Sequence, residues 1–214
     1  MRCSLLARNM LLVLGALSIL MCAGAGLAAD DFGSRVVVEG GLLRPLGELG
    51  ADFDESFLGL GADSGYEVGF RFRKPVKPAL SISPAFHFVD FESHVLLDAA
   101  ENEFKTEAFS YRLTLEGMLK PRCGDEGARP FLAVAAGLYR NRVVGFYDDP
   151  TAPERDYSVN SFGYSVRWGF ATENFELSFV AHRNRVETWR FFETDSKASY
   201  RWNSLSVRLG YILP

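Results

Sequence analysis

Four glutamates and four arginines recur where buried ion-pair chemistry is open to them: Glu39, Glu67, Glu116 and Glu176 with Arg71, Arg112, Arg167 and Arg208. Each sits in a run of alternating polar and apolar residues, so an extended chain brings all eight to one face. Opposite charges confined together in a poorly solvated space pair and hydrogen-bond, and a balanced set is what such a space tolerates. A second group repeats one motif, Arg140-Asn141-Arg142-Val143 and Arg183-Asn184-Arg185-Val186, and is joined by Arg190 beside Trp189 and Phe191. Guanidinium forks of this kind bind phosphate oxygens in a bidentate way. Their other outlet is pairing with Asp148, Asp149, Glu154 and Asp156, which lie between the two motifs.

These residues need a scaffold, and the N-terminus says where it is built. Residues 1–28 read as a cleaved signal peptide: Arg2 and Arg8 precede an apolar or small run from Met10 to Met21, and Gly26-Leu27-Ala28 offers a small-residue cleavage site. Cleavage leaves Cys123 as the one cysteine, so export brings no internal disulfide. The 214 residues are 48% hydrophobic and 14% aromatic, with a formal charge of -4. Mean hydropathy of zero excludes a bundle of membrane helices. The composition also excludes a disordered chain and a disulfide-dense miniprotein, and the acidic balance argues against a nucleic-acid partner.

From residue 29 onward the chain alternates with period two. Tyr66, Val68, Phe70 and Phe72 face away from Glu67, Gly69, Arg71 and Arg73, and a helix would scramble the two sets. The same pattern recurs over 109–119, 162–170 and 205–213, with weaker members near 35–43, 79–89, 130–139 and 175–182, which makes eight strands. Their connections alternate in length. Those over 44–65, 90–104, 140–161 and 183–200 are long, whereas those at 74–78, 120–129 and 171–174 are short. An even number of antiparallel strands with long loops on one side predicts an all-β fold, an eight-stranded up-and-down transmembrane barrel spanning 29–214.

The apolar face of these strands carries no Asp, Glu, Lys or Arg, which is the expectation for a surface in contact with hydrocarbon. The Glu and Arg set then points into a lumen only wide enough for side chains to fill, where it predicts a closed plug. A β-sandwich or lipocalin-like barrel is the competing fold, with the two faces exchanged.

The run Arg129-Pro130-Phe131-Leu132-Ala133-Val134-Ala135-Ala136-Gly137-Leu138-Tyr139 resembles the Pro-aromatic, small-residue strand of the small outer-membrane β-barrel domain family, and Leu205–Leu213 resembles its C-terminal insertion strand. The resemblance implies a bacterial outer-membrane location with long loops extracellular and termini periplasmic. It also implies insertion by the barrel-assembly machinery, a monomer, and contact with outer-membrane lipid and lipopolysaccharide. The chain departs from the family in ending at Pro214 and in placing Met118 and Phe131 on the inner face, where they predict apolar packing at the periplasmic end.

Catalytic signals are thin. His182-Arg183-Asn184, followed by Glu187 and Glu193, is similar to the His-x-Ser pair of lipid A deacylase barrels, but an amide stands in the nucleophile's place. His87 and His182 lie four strands apart, and Asp52-Phe53-Asp54-Glu55 lacks the glycine turn of a Ca²⁺ loop, so neither a metal nor a cofactor is predicted. The expected role is structural or surface-interactive with lipopolysaccharide contact through Arg140, Arg142, Arg183, Arg185 and Arg190. A lipid-modifying enzyme and a narrow solute channel are the alternatives.

Overall fold

An extended chain carries unpaired N–H and C=O groups along both edges, and in hydrocarbon each costs several kcal/mol, so membrane strands are stable only as a closed ring. The computed structural model, which describes residues 33–50, 62–97, 103–120, 127–147, 155–189 and 197–213, is such a ring. Its strands are β1 (Arg35–Leu46), β2 (Gly65–Lys77), β3 (Leu80–Leu97), β4 (Glu103–Leu119), β5 (Arg129–Tyr147), β6 (Arg155–Ala171), β7 (Phe175–Trp189), β8 (Lys197–Arg201) and β9 (Asn203–Leu213). Neighbours pair antiparallel in chain order from β1 to β7; β9 then pairs with both β7 and β1 and closes the barrel. β8 and β9 are one stave interrupted at Trp202. Both lie against β7, and the Trp202 N–H still donates to the Asn184 carbonyl at 2.8 Å. The eight-stranded all-antiparallel barrel read from the sequence is the fold of the protein.

The connections differ from expectation. Most of 90–104, 140–161 and 183–200 is strand, with β3–β4, β5–β6 and β7–β8 hairpins running well past the apolar band. On β5 and β6 the alternation continues there with Arg140, Arg142, Ser158 and Asn160 on the outer face, so apolar runs mark only part of each strand. β2 likewise runs to Lys77 through a register shift at Pro75, leaving a tight turn before Leu80. After β1 a 3-10 helix, Gly47–Leu49, folds back into the mouth. The signal segment 1–28, the acidic run 52–55, Cys123, Arg190 and Pro214 lie outside the described residues.

The wall is inverted relative to a water-soluble barrel. Leu138 and Leu209 are 62% and 59% exposed on the outside, while Arg71 and Arg167 are 0% and 1% exposed inside. That removes the lipocalin-like alternative, because a soluble barrel buries the first pair and solvates the second. Cross-strand aromatic pairs knit the outer surface: Phe70 on Phe86 with centroids 5.7 Å apart, Trp168 on Phe179 at 6.1 Å, and Phe175 against Tyr211 at 5.2 Å.

Candidate functional site

Period-two alternation on six strands delivers nine charged side chains to the lumen: Glu39 from β1, Glu67, Arg71 and Arg73 from β2, Arg112 and Glu116 from β4, Arg167 from β6, Glu176 from β7 and Arg208 from β9, all buried. Arg71 is the hub, with Nε 3.1 Å from Glu39 Oε2, Nη1 3.0 Å from Glu116 Oε1 and Nη2 2.5 Å from Glu176 Oε2. Arg167 reaches Glu39 at 3.1 Å and Glu116 at 2.7 Å. Arg208 grips Glu67 with both arms, Nε to Oε1 at 2.5 Å and Nη2 to Oε2 at 2.8 Å. Arg73, on the same face of β2 but outside the set of eight, hydrogen-bonds Glu176. The structure thus brings seven of the eight into hydrogen-bonded contact and leaves Arg112 apart, its Nη1 3.6 Å from Glu67 Oε2.

Both inward histidines join these charges, and β3 and β7 continue beyond them. His87 Nε2 hydrogen-bonds Glu39, and Arg208 Nη2 donates to His182 Nε2 at 2.6 Å. A guanidinium only donates, so the lone pair that a general base would use is occupied and the His182 proton sits on Nδ1. Asn184 is held in a ring with Asn141 and Ser161, at 2.7, 2.8 and 2.9 Å, which closes the inner face of β5, β6 and β7. Among the described residues no cluster of His, Cys, Asp or Glu is arranged to hold a metal ion.

Apolar layers cover the charges at both ends. At the turn end Met118, Phe131, Ala133 and Ala171 pack together, with the Arg167 guanidinium 5.1 Å over the Phe131 ring. At the loop end Leu43, Leu49, Val89, Phe91, Ala108, Val143, Val186 and Trp202 form a second cluster, into which the 3-10 helix inserts Leu49 and where Phe91 meets Trp202 edge-on at 6.4 Å. The first cluster is legible from Met118 and Phe131; the second, which Ala62 also joins, is not, since its members come from widely separated segments. Gly163 has a specific task between them. A Cβ there would lie 2.8 Å from Tyr139 Cε2, so only glycine lets that ring lie across β6.

Lys120 stands just beyond β4 at the turn-end mouth, 3.8 Å from Glu176. Burial, followed by the nearby Arg73 guanidinium, lowers its pKa to about 8. A lowered folded pKa means that the unfolded chain holds more protons between about pH 8 and the ordinary value of 10.5, so stability rises with pH across that window. We expect the NMR shift of a ¹³C-methyl tag on Lys120 to titrate near pH 8, and Arg73→Gln to move the midpoint upward; an unchanged midpoint in the variant would contradict this cause.

The repeated arginine motifs face outward, on the wall just beyond the apolar band. Arg140 Nε donates to Ser158 Oγ at 3.2 Å; Arg142 forks onto Asp156, Nε to Oδ1 at 2.7 Å, and lies 5.2 Å over the Phe109 ring. Arg183 pairs in register with Tyr164 and is exposed, and Arg185 pairs with Arg201, a further rim arginine outside the repeated motif.

No protein-family model matches the chain, and no curated protein matches its sequence. Among solved structures it is similar to Ail, the attachment invasion locus protein of Yersinia pestis, in complex with the heparin analogue sucrose octasulfate, at 12% identity and a TM-score of 0.52, over 84% of this chain and 99% of that one. It also matches Neisserial surface protein A at 14% identity and a TM-score of 0.46, over 83% and 96% of the two chains. With charge inside, aliphatic and aromatic side chains outside and an antiparallel ring of eight staves, the chain has the fold of the small eight-stranded outer-membrane β-barrels.

Proposed function

We propose that the protein is exported through its signal peptide and inserted by the barrel-assembly machinery as a monomeric outer-membrane scaffold of residues 29–214, closed to solutes, with the extended hairpins extracellular and the termini periplasmic. The observation that carries the closed lumen is the stacking of layers: an ion-paired network spans the interior and apolar clusters lie above and below it. Each hydrated ion crossing such a path would have to displace packed apolar side chains and bonded charges. In planar bilayers the purified protein is therefore expected to give at most small, rare conductance steps, and a steady open channel would refute the reading.

The rim adds a surface role. Arg140, Arg142, Arg183 and Arg185 project from the wall where Phe109, Tyr111 and Tyr164 end the apolar band, and Arg190 follows them in the sequence. At that height guanidinium forks meet the phosphates of lipopolysaccharide in a partly desolvated setting and can replace bridging divalent cations. Sucrose octasulfate, the ligand of the Ail complex, is a polyanionic saccharide of comparable charge chemistry. We expect phosphorylated lipid A to bind about tenfold more tightly than dephosphorylated lipid A, a difference equal to about one charge-assisted hydrogen bond, and the preference to vanish when all five arginines become Gln. Equal affinity in the four combinations would leave Arg142–Asp156 type pairing as the whole role of these residues.

A further inference from the structure

The buried charges of the lumen do not balance: among the described residues, five arginines share it with four glutamates, one positive charge in excess before either histidine is counted. The excess is local. Arg71, Arg73, Arg167 and Arg208 each hydrogen-bond at least one carboxylate. Arg112 does not, because Glu67, its near neighbour at 3.6 Å, has both oxygens held by Arg208. Arg112 is 4% exposed, and its Nε and Nη1 have no hydrogen-bond partner.

Other buried donors of the lumen are unpartnered as well. Tyr139 opposes Arg112 in register with its ring centroid 5.5 Å from the guanidinium carbon, and its hydroxyl is buried without a partner. His182 sits 3.9 Å from the same Glu67 oxygen that Arg112 approaches; its Nδ1, which bears the proton because Arg208 donates to Nε2, is also unpartnered. Ser204, the register partner of His182, and Ser206, the next inward residue on β9, have free hydroxyls. Arg112 and His182 Nδ1 can only donate, and the hydroxyls can donate as well.

We infer that this constellation is a site for one small monovalent anion of the halide class, chloride under natural conditions, held against Arg112 inside the closed lumen. A cation is excluded by the sign of the surplus. Water satisfies some donors but leaves the charge uncompensated, and a multivalent anion would overshoot it beside Glu67. A single halide accepts several donors at once and neutralises the layer. The inference rests on the closed-lumen reading, so the anion enters when the barrel folds and leaves slowly afterwards.

The test refolds the wild type, Arg112→Gln and Tyr139→Phe from urea into micelles with sodium bromide or with sodium sulfate at matched ionic strength, and records bilayer conductance on the same preparations. Crystals of the bromide-folded wild type are expected to show an anomalous peak within hydrogen-bond reach of Arg112, and bromide should raise its unfolding midpoint saturably. Arg112→Gln should lose both signals. Tyr139→Phe, which keeps the charge layer intact, should need about tenfold more bromide for half the effect, the worth of about one hydrogen bond to an ion. A non-conducting wild-type barrel with no bromide peak overturns the site and leaves the closed lumen standing, as does a bromide effect of equal size in Arg112→Gln. An open conductance overturns the closed lumen and the site together.

Discussion

Replacing Glu67 by Ala should destabilise the folded barrel by about 3 to 5 kcal/mol, the range for stranding a buried charge, whereas Arg112→Ala should cost far less. The asymmetry follows from the pairing. Without Glu67, Arg208 loses both short contacts and retains Glu39 at 3.3 Å, while Arg112 loses the carboxylate that stands nearest to it. Without Arg112, no carboxylate loses a hydrogen bond, because Arg208 continues to hold Glu67. Arg71→Ala should fall between the two: it breaks three contacts, yet Glu39 and Glu116 keep Arg167, and Glu176 keeps Arg73. Urea unfolding in lipid vesicles measures the series. In a double-mutant cycle Glu67→Ala should cost less in the Arg112→Ala background than alone, since one of the stranded cations is then gone. Equal costs for the two single changes would mean that the lumen admits enough water to screen the network.

How far the sequence foretells this arrangement depends on whether the signal is local. Period two is local, so the inward set of Glu39, Glu67, Arg71, Arg112, Glu116, Arg167, Glu176 and Arg208 could be read directly, as could the outward Val68, Leu113 and Leu209. Which charges touch is not local. The Arg208–Glu67 fork joins β9 to β2 across β1, and the stagger of the ring decides which inward residues share a height. The same stagger assembles the loop-end cluster from residues as distant as Leu43, Val143 and Trp202. The extended hairpins were missed for another reason. Beyond the apolar band the outer face of β5 carries Arg140 and Arg142, so hydropathy no longer marks the strand although the ladder with β6 continues to Gly145 opposite Arg155. Arg73 shows a third limit: its parity was evident, but only its bond to Glu176 shows that it belongs to the charged layer and not to the turn.

Leu209→Arg and Asn160→Arg place the same side chain on the same outward face, and they should behave oppositely. Leu209 lies between Gly40 and Leu177 in register, within the aliphatic band, and is 59% exposed. A guanidinium near the bilayer midplane of a barrel costs about 2 to 4 kcal/mol, falling to about 0 to 1 near the interface. Asn160 is opposite Arg140 on the hairpin beyond the band, where arginine already occurs. Leu209→Arg should therefore cut the yield of heat-modifiable, folded protein in vesicles and lower the unfolding midpoint of what inserts, while Asn160→Arg should leave both near wild type. Water as the surrounding solvent would reverse the sign at Leu209, since exchanging an exposed leucine for arginine on a soluble surface removes an apolar patch and adds no buried charge. An unimpaired or better-folded Leu209→Arg would thus show that the outer wall faces water, and depth dependence between the two sites is the signature of lipid that no soluble barrel can reproduce.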